Sequence, residues 1–151
     1  MKVTREQAAE NREKILRAAA RLFREKGFEG TAVAELMRDA GLTHGGFYGH
    51  FASKGDLAAK ACEATLARSA ERWTRLAEDG RDAALAALVE NYLSEAHRDR
   101  PGSGCALSIL GPEAARQEVP VRSALTRGQD AAVSGIVDQD GSFGEASVVL
   151  D

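Results

Sequence analysis

Between Thr4 and Gly80 the apolar positions fall into helical stripes, each ended by a glycine. Ile15, Leu16, Ala19, Leu22 and Phe23 recur at i, i+1, i+4, i+7 and i+8, which gathers them on one face of an α-helix. Thr4 and Gln7 stand at capping-box spacing before that stripe, so the first helix is predicted to run to about Lys26. Gly27 then takes the left-handed terminal position and Phe28 folds back onto the helix. Thr31 is the predicted N-cap of a second helix whose buried face is Val33, Leu36, Met37 and Ala40, stopped by Gly41. Almost at once Thr43 can cap a third helix that presents Phe47 and Phe51 at i and i+4. Ser53 and Asp56 repeat the capping spacing and open a long fourth helix through Leu57, Ala61, Cys62, Leu66, Trp73 and Leu76, which Gly80 closes.

Past Gly80, the spacing of Leu85, Leu88, Val89, Tyr92, Leu93 and Ala96 predicts a fifth helix. Arg100 to Gly104 contains a proline and two glycines and is expected to be a loop. The short apolar piece Cys105 to Leu110 is expected to break at Gly111-Pro112. Residues 113 to 133 are helix-compatible, with Val121, Ala124, Leu125, Ala131 and Ala132 apolar and Pro120 suited to a first turn. Beyond Ser134 the period dissolves among Gly135, Gly141, Gly144 and acidic or small residues, and the tail is read as irregular. Without hairpin signals or internal repeats, the predicted fold is all-α. A three-helix N-terminal helix-turn-helix unit spans residues 1–55, and a helical domain spans 56–151.

The formal charge of −3 over 151 residues argues little by itself, but its distribution does: residues 1–60 sum to +3 and the remainder to −6. A basic head on an acidic body suits phosphate binding, which needs only a local patch. Two cysteines, Cys62 and Cys105, are too few and too far apart for a disulfide framework, and no charged-then-apolar leader precedes the first helix. No apolar run approaches the ~20 residues that span a bilayer. The expectation is a cytoplasmic protein with no membrane role.

The third helix carries the most specific chemistry. In a helix-turn-helix its N-terminal end enters the major groove of double-stranded DNA, which puts Thr43, His44, Gly45 and Gly46 nearest the bases. Glycines without Cβ atoms let the backbone approach, although such a pair can also simply complete a turn. Thr43 and His44 can read base edges, while Tyr48, His50 and Lys54 can hold phosphates. Each alone has a bland reading as a solvated or packed side chain; their common location on one short helix and its flanks raises them together.

Thr31, Ala34-Glu35-Leu36, Ala40-Gly41-Leu42-Thr43, Gly45, Phe47-Tyr48, His50-Phe51 and Ser53-Lys54 resemble the DNA-binding domain of TetR/AcrR-type transcriptional regulators. Ile15 to Ala19, Leu22-Phe23 and Lys26-Gly27-Phe28 fit the same pattern. The resemblance implies a homodimeric repressor that binds a palindromic operator and is released when a small-molecule effector occupies the helical, ligand-binding and dimerisation domain. It assigns DNA contact to Thr31, Thr43, His44, Gly45, Tyr48, His50 and Lys54. Gly46 and Gly49 depart from it, standing where the family often has larger residues. The chain is also shorter than family members usually are, in the region of the last two helices that form the dimer's four-helix bundle, so the tail reads as truncated or altered.

In the second domain Trp73, Tyr92 and Leu107 could line an effector chamber between helices, although core packing explains them equally. Gly-Cys-Ala-Leu around Cys105 is similar to a subgroup of these repressors that senses electrophiles or oxidants through a cysteine. A helix start would raise the thiolate fraction of Cys105, and an inert small hydrophobe is the competing reading. Cys62, mid-helix on an apolar face, is read as structural. Two other functions stay open: a helical interaction protein with a vestigial reading head, and an enzyme using Cys105 with His97 as base. No cofactor is implied, and the histidines and cysteines show no metal-ligand spacing.

Overall fold

The computed structural model describes residues 4–137, residue 79 excepted, and every regular element among them is helical. Helix α1 (Arg5–Lys26) begins where Thr4 Oγ1 accepts the Gln7 N–H at 3.1 Å. Only half of the expected capping box forms, because the Gln7 side chain turns forward to Glu10 and Asn11. At its other end Gly27 has φ +78° but an extended ψ, so it closes the helix with one bond from its N–H to Phe23 O. Phe28 folds back as expected, its ring centroid 5.1 Å from that of Phe23.

Helix α2 (Val33–Asp39) is capped by Ala32, not by Thr31. Thr31 is fully buried, and its hydroxyl donates to Gly27 O at 2.8 Å, tying the α1–α2 connection together instead of starting a helix. Leu36 and Met37 are buried, with Val33 and Ala40 packed beside them. Gly41 at φ +70° allows Leu42 N–H to reach back to Met37 O, the bond that ends a helix and turns the chain sharply. The predicted third helix is a 3₁₀ helix, His44–Gly49, with Thr43 at its N-cap but no capping bond from the Thr43 hydroxyl. Phe47 within it and Phe51 just beyond its end are nevertheless both buried, with ring centroids 5.9 Å apart.

Helix α3 (Lys54–Glu78) starts as its sequence predicts. Ser53 Oγ accepts the Asp56 N–H, and Asp56 Oδ2 accepts the Ala52 N–H. Bonds to Lys60 and to that amide hold the Asp56 carboxyl below its ordinary pKa. Beyond it lie α4 (Arg81–Tyr92), α5 (Glu95–Asp99), a single 3₁₀ turn at Pro101–Ser103, α6 (Ala106–Ala114) and α7 (Val119–Val137). Three boundaries differ from the periodicity. The predicted fifth helix is divided at Leu93-Ser94, where the Ser94 hydroxyl caps α5. Helix α6 runs through Gly111-Pro112, and the break falls after Ala114. Helix α7 continues past Ser134 to Val137, while the rest of the predicted irregular tail, 138–151, lies outside the described residues.

A single cluster of buried side chains runs from Ile15, Phe23, Leu36 and Phe47 through Leu57, Cys62 and Leu66 to Leu110, Val121 and Leu125. Helix α3 supplies its middle, so the boundary expected at 55–56 falls at the start of an element that serves both halves. Helices α3 and α7 pack along much of their length, and Gly128 permits their closest approach: a Cβ there would stand 2.5 Å from Leu66 Cβ. On α4, by contrast, Leu85 and Val89 lie exposed although their spacing reads as a buried stripe, and among the described side chains of this helix only Ala84 is buried.

Candidate functional site

The 3₁₀ helix is held from below and open above. Phe47 is fully buried while the adjacent Tyr48 is 71 % exposed, its ring edge-on to Phe47 at 5.2 Å. Arg12 on α1 braces the far end: its Nη1 donates to His50 O at 2.7 Å and its guanidinium lies 4.3 Å from the Phe51 ring centroid. Thr43, His44 and Gly45 are exposed, and Gly46, His50 and Lys54 half-buried. A Cβ at Gly45 or Gly49 would meet nothing within 4 Å, and neither residue has a positive φ. The turn therefore does not need these glycines. The reading in which Gly45 merely completes it loses its physical reason, while close approach by a partner keeps one. Thr31 departs from the predicted set, since its buried, inward-bonded side chain faces no partner.

In the body, α3 to α7 surround a cavity of about 290 Å³. Trp73, Tyr92, Cys105 and Leu107, the four residues named from sequence, all line it, with Leu66, Leu88 and Val133 adding aliphatic wall. Tyr92 and His97 stack at 4.5 Å between ring centroids. Arg72 also borders the space, its guanidinium 5.0 Å from the Trp73 ring centroid. His97 Nε2 accepts the backbone N–H of Cys105 at 3.1 Å. That lone pair is engaged, so the pair is not arranged as nucleophile and base. Cys105 is the N-cap residue of α6 and half-buried, whereas Cys62 sits in the core, where burial pushes its thiol up to about 12.

Head and body are joined at two places, one of them beside this cavity. Arg24 on α1 donates to Gly104 O at 3.1 Å, immediately before Cys105. Glu113 on α6 accepts the Glu29 N–H at 3.0 Å, and the Gln117 amide donates to the Glu29 carboxylate.

The profile of bacterial regulatory proteins of the tetR family matches residues 15–61, the segment from mid-α1 through the 3₁₀ helix into α3. Residues 15–61 thus carry the DNA-binding segment typical of TetR-family regulators. The chain is 37 % identical over 70 residues to the HTH-type transcriptional regulator YerO of Bacillus subtilis, covering 46 % of this chain and 24 % of that protein. It is 43 % identical over 54 residues to the HTH-type transcriptional regulator AcrR of Shigella flexneri, covering 36 % of this chain and 25 % of AcrR. The crystal structure of reduced Escherichia coli NemR superposes with a TM-score of 0.72 at 26 % identity, over 83 % of this chain and 66 % of that one. The match thus spans about a quarter of the length of YerO and AcrR, and NemR extends the likeness into the helical body.

The TetR-type match ends within α3, so it covers the exposed turn and none of the cavity. Three contributors escaped sequence reading. Arg12 and Arg24 lie on the first helix among similar charges, and their partners are main-chain carbonyls distant in sequence. Arg72 had one visible signal, its place beside Trp73.

Proposed function

We propose that this chain is a TetR-family transcriptional repressor that binds a palindromic operator as a homodimer and leaves it when a small molecule occupies the body. The observation that carries this reading is the 3₁₀ helix: Phe47 and Phe51 buried beneath it, Thr43, His44, Gly45 and Tyr48 exposed, and glycines that packing does not require. In the major groove His44 and Thr43 read base edges, while Tyr48, His50 and Lys54 hold phosphates. The +3 charge of residues 1–60 favours the phosphate term. The cavity around Trp73 is the effector site. Its rim residue Gly104 is bonded to Arg24 on α1, which gives an occupant a short path to the head. Cys105 lines the same space and is the atom a soft electrophile meets there.

Binding to a palindromic fragment, measured across salt concentrations, tests the reading. A steep fall of affinity with salt is expected, and Lys54→Ala should lower the log–log slope by about 1. His44→Ala should change which sequences are preferred. If the folded protein binds every duplex alike and Lys54→Ala leaves the slope unmoved, the DNA reading fails. Cys105→Ser is expected to bind DNA normally and ignore electrophiles; release as before removes the cysteine from the mechanism.

A further inference from the structure

The cavity is asymmetric in charge. Among the described residues that line it, Arg72 is the only Lys, Arg, Asp or Glu, and the other polar lining comes from neutral groups such as Ser69, Asn91 and Gln129. Its guanidinium lies against Trp73 and, among the described residues, pairs with no carboxylate. A second cation stands behind the wall. Arg24 donates to Gly104 O, while its Nε is buried without a partner. Burial first, and then the like charge of Arg68, push the Arg24 guanidinium below its ordinary pKa. Arg72 itself is exposed to solvent at the edge of the cavity, where it can meet an anionic group of a ligand.

The remaining walls select shape. Trp73, Tyr92 and His97 offer flat faces, with Leu66, Leu88 and Leu107 between them. A volume of about 290 Å³ suits one or two rings rather than an extended chain. We propose that the cavity takes a small aromatic carboxylate, its rings against Trp73 and Tyr92 and its carboxylate on the Arg72 guanidinium. Arginine is suited to this role, because its planar fork donates two parallel bonds to a carboxylate while its face stays on the indole.

The inference rests on the effector reading of the cavity, and one assay separates the two. Trp73 is the only tryptophan of the chain and lines the site, so its fluorescence reports occupancy directly, with no DNA present. The probes are 4-biphenylacetate, the matching neutral alcohol and the matching ammonium compound. The carboxylate is expected to bind at least about tenfold more tightly than the alcohol, the size of one charge-assisted contact, and the ammonium most weakly. Arg72→Gln should bring carboxylate and alcohol together, and Arg72→Lys should restore part of the gap. Equal binding of all three, or a carboxylate preference that survives Arg72→Gln, overturns the charge assignment and leaves the cavity as an effector site. No response to any probe overturns both, while operator binding, measured separately, still decides the DNA reading.

Discussion

A Cβ at Gly45 or Gly49 would stand in open space, so glycine there costs conformational entropy without relieving any clash within the fold. Alanine at either position is expected to leave stability unchanged or raise it by about 0.5–1 kcal/mol in urea unfolding. The two should part on DNA. Gly45 lies in the first turn, where under the proposed DNA docking an added methyl group would meet the duplex, so Gly45→Ala should weaken operator binding, whereas Gly49→Ala should do so far less. An operator affinity untouched by Gly45→Ala would show that the backbone does not come close there. Thr31 gives the converse case. Its hydroxyl satisfies Gly27 O inside the fold, so Thr31→Val leaves that carbonyl without its donor and should cost about 1–2 kcal/mol. Operator affinity per folded molecule should not change; a selective loss of binding would return Thr31 to the interface.

Elements were legible where a stripe had a core to face and a stop that packing respected. Helices α1, α2 and α3 meet both conditions, with Thr4 and Ser53 capping and Gly41 turning the chain. The third helix was found in place but not in kind: the i, i+4 spacing of Phe47 and Phe51 reads as α-helical, whereas Phe51 lies beyond the 3₁₀ segment and is buried all the same. In α6, Pro112 was read as a stop. Inside the helix Pro112 gives up its bond to the Ser108 carbonyl and crowds that carbonyl, a cost of about 3 kcal/mol that burial of Leu110 and Ala114 on the shared core helps to offset. Gly128 is a packing device that no local pattern reveals. Within an α7 that reads as a plain helix, it lets Leu66 of α3 come close enough that an added Cβ would lie 2.2 Å from Leu66 Cδ1. Gly128→Ala therefore forces the helices apart and is expected to cost about 1–3 kcal/mol, despite the helix propensity gained. Leu66→Ala alone leaves a cavity and should cost about 2–5 kcal/mol. Together the two changes should cost clearly less than their sum, and strict additivity in urea unfolding would mean that these residues do not touch.

At the scale of the whole molecule, head and body share one hydrophobic cluster, with α3 contributing Leu57 and Ala58 near the 3₁₀ helix and Leu66 beside α7. Such a chain has no seam at residue 55 along which to come apart, so loss of packing in the head must be felt in the body. Trp73 makes this measurable, because the only tryptophan lies well beyond the segment matched by the TetR profile. Phe47→Ala removes a fully buried ring about 26 positions earlier in the chain and should cost about 3–5 kcal/mol. In a cooperative unit that loss lowers the denaturant midpoint seen by Trp73 fluorescence as much as the midpoint seen by far-ultraviolet circular dichroism. A Trp73 transition that stays where it was, while the helical signal splits in two, would show that the body holds its structure without the head. An occupant of the cavity would then have no rigid route through Arg24 to the exposed 3₁₀ turn.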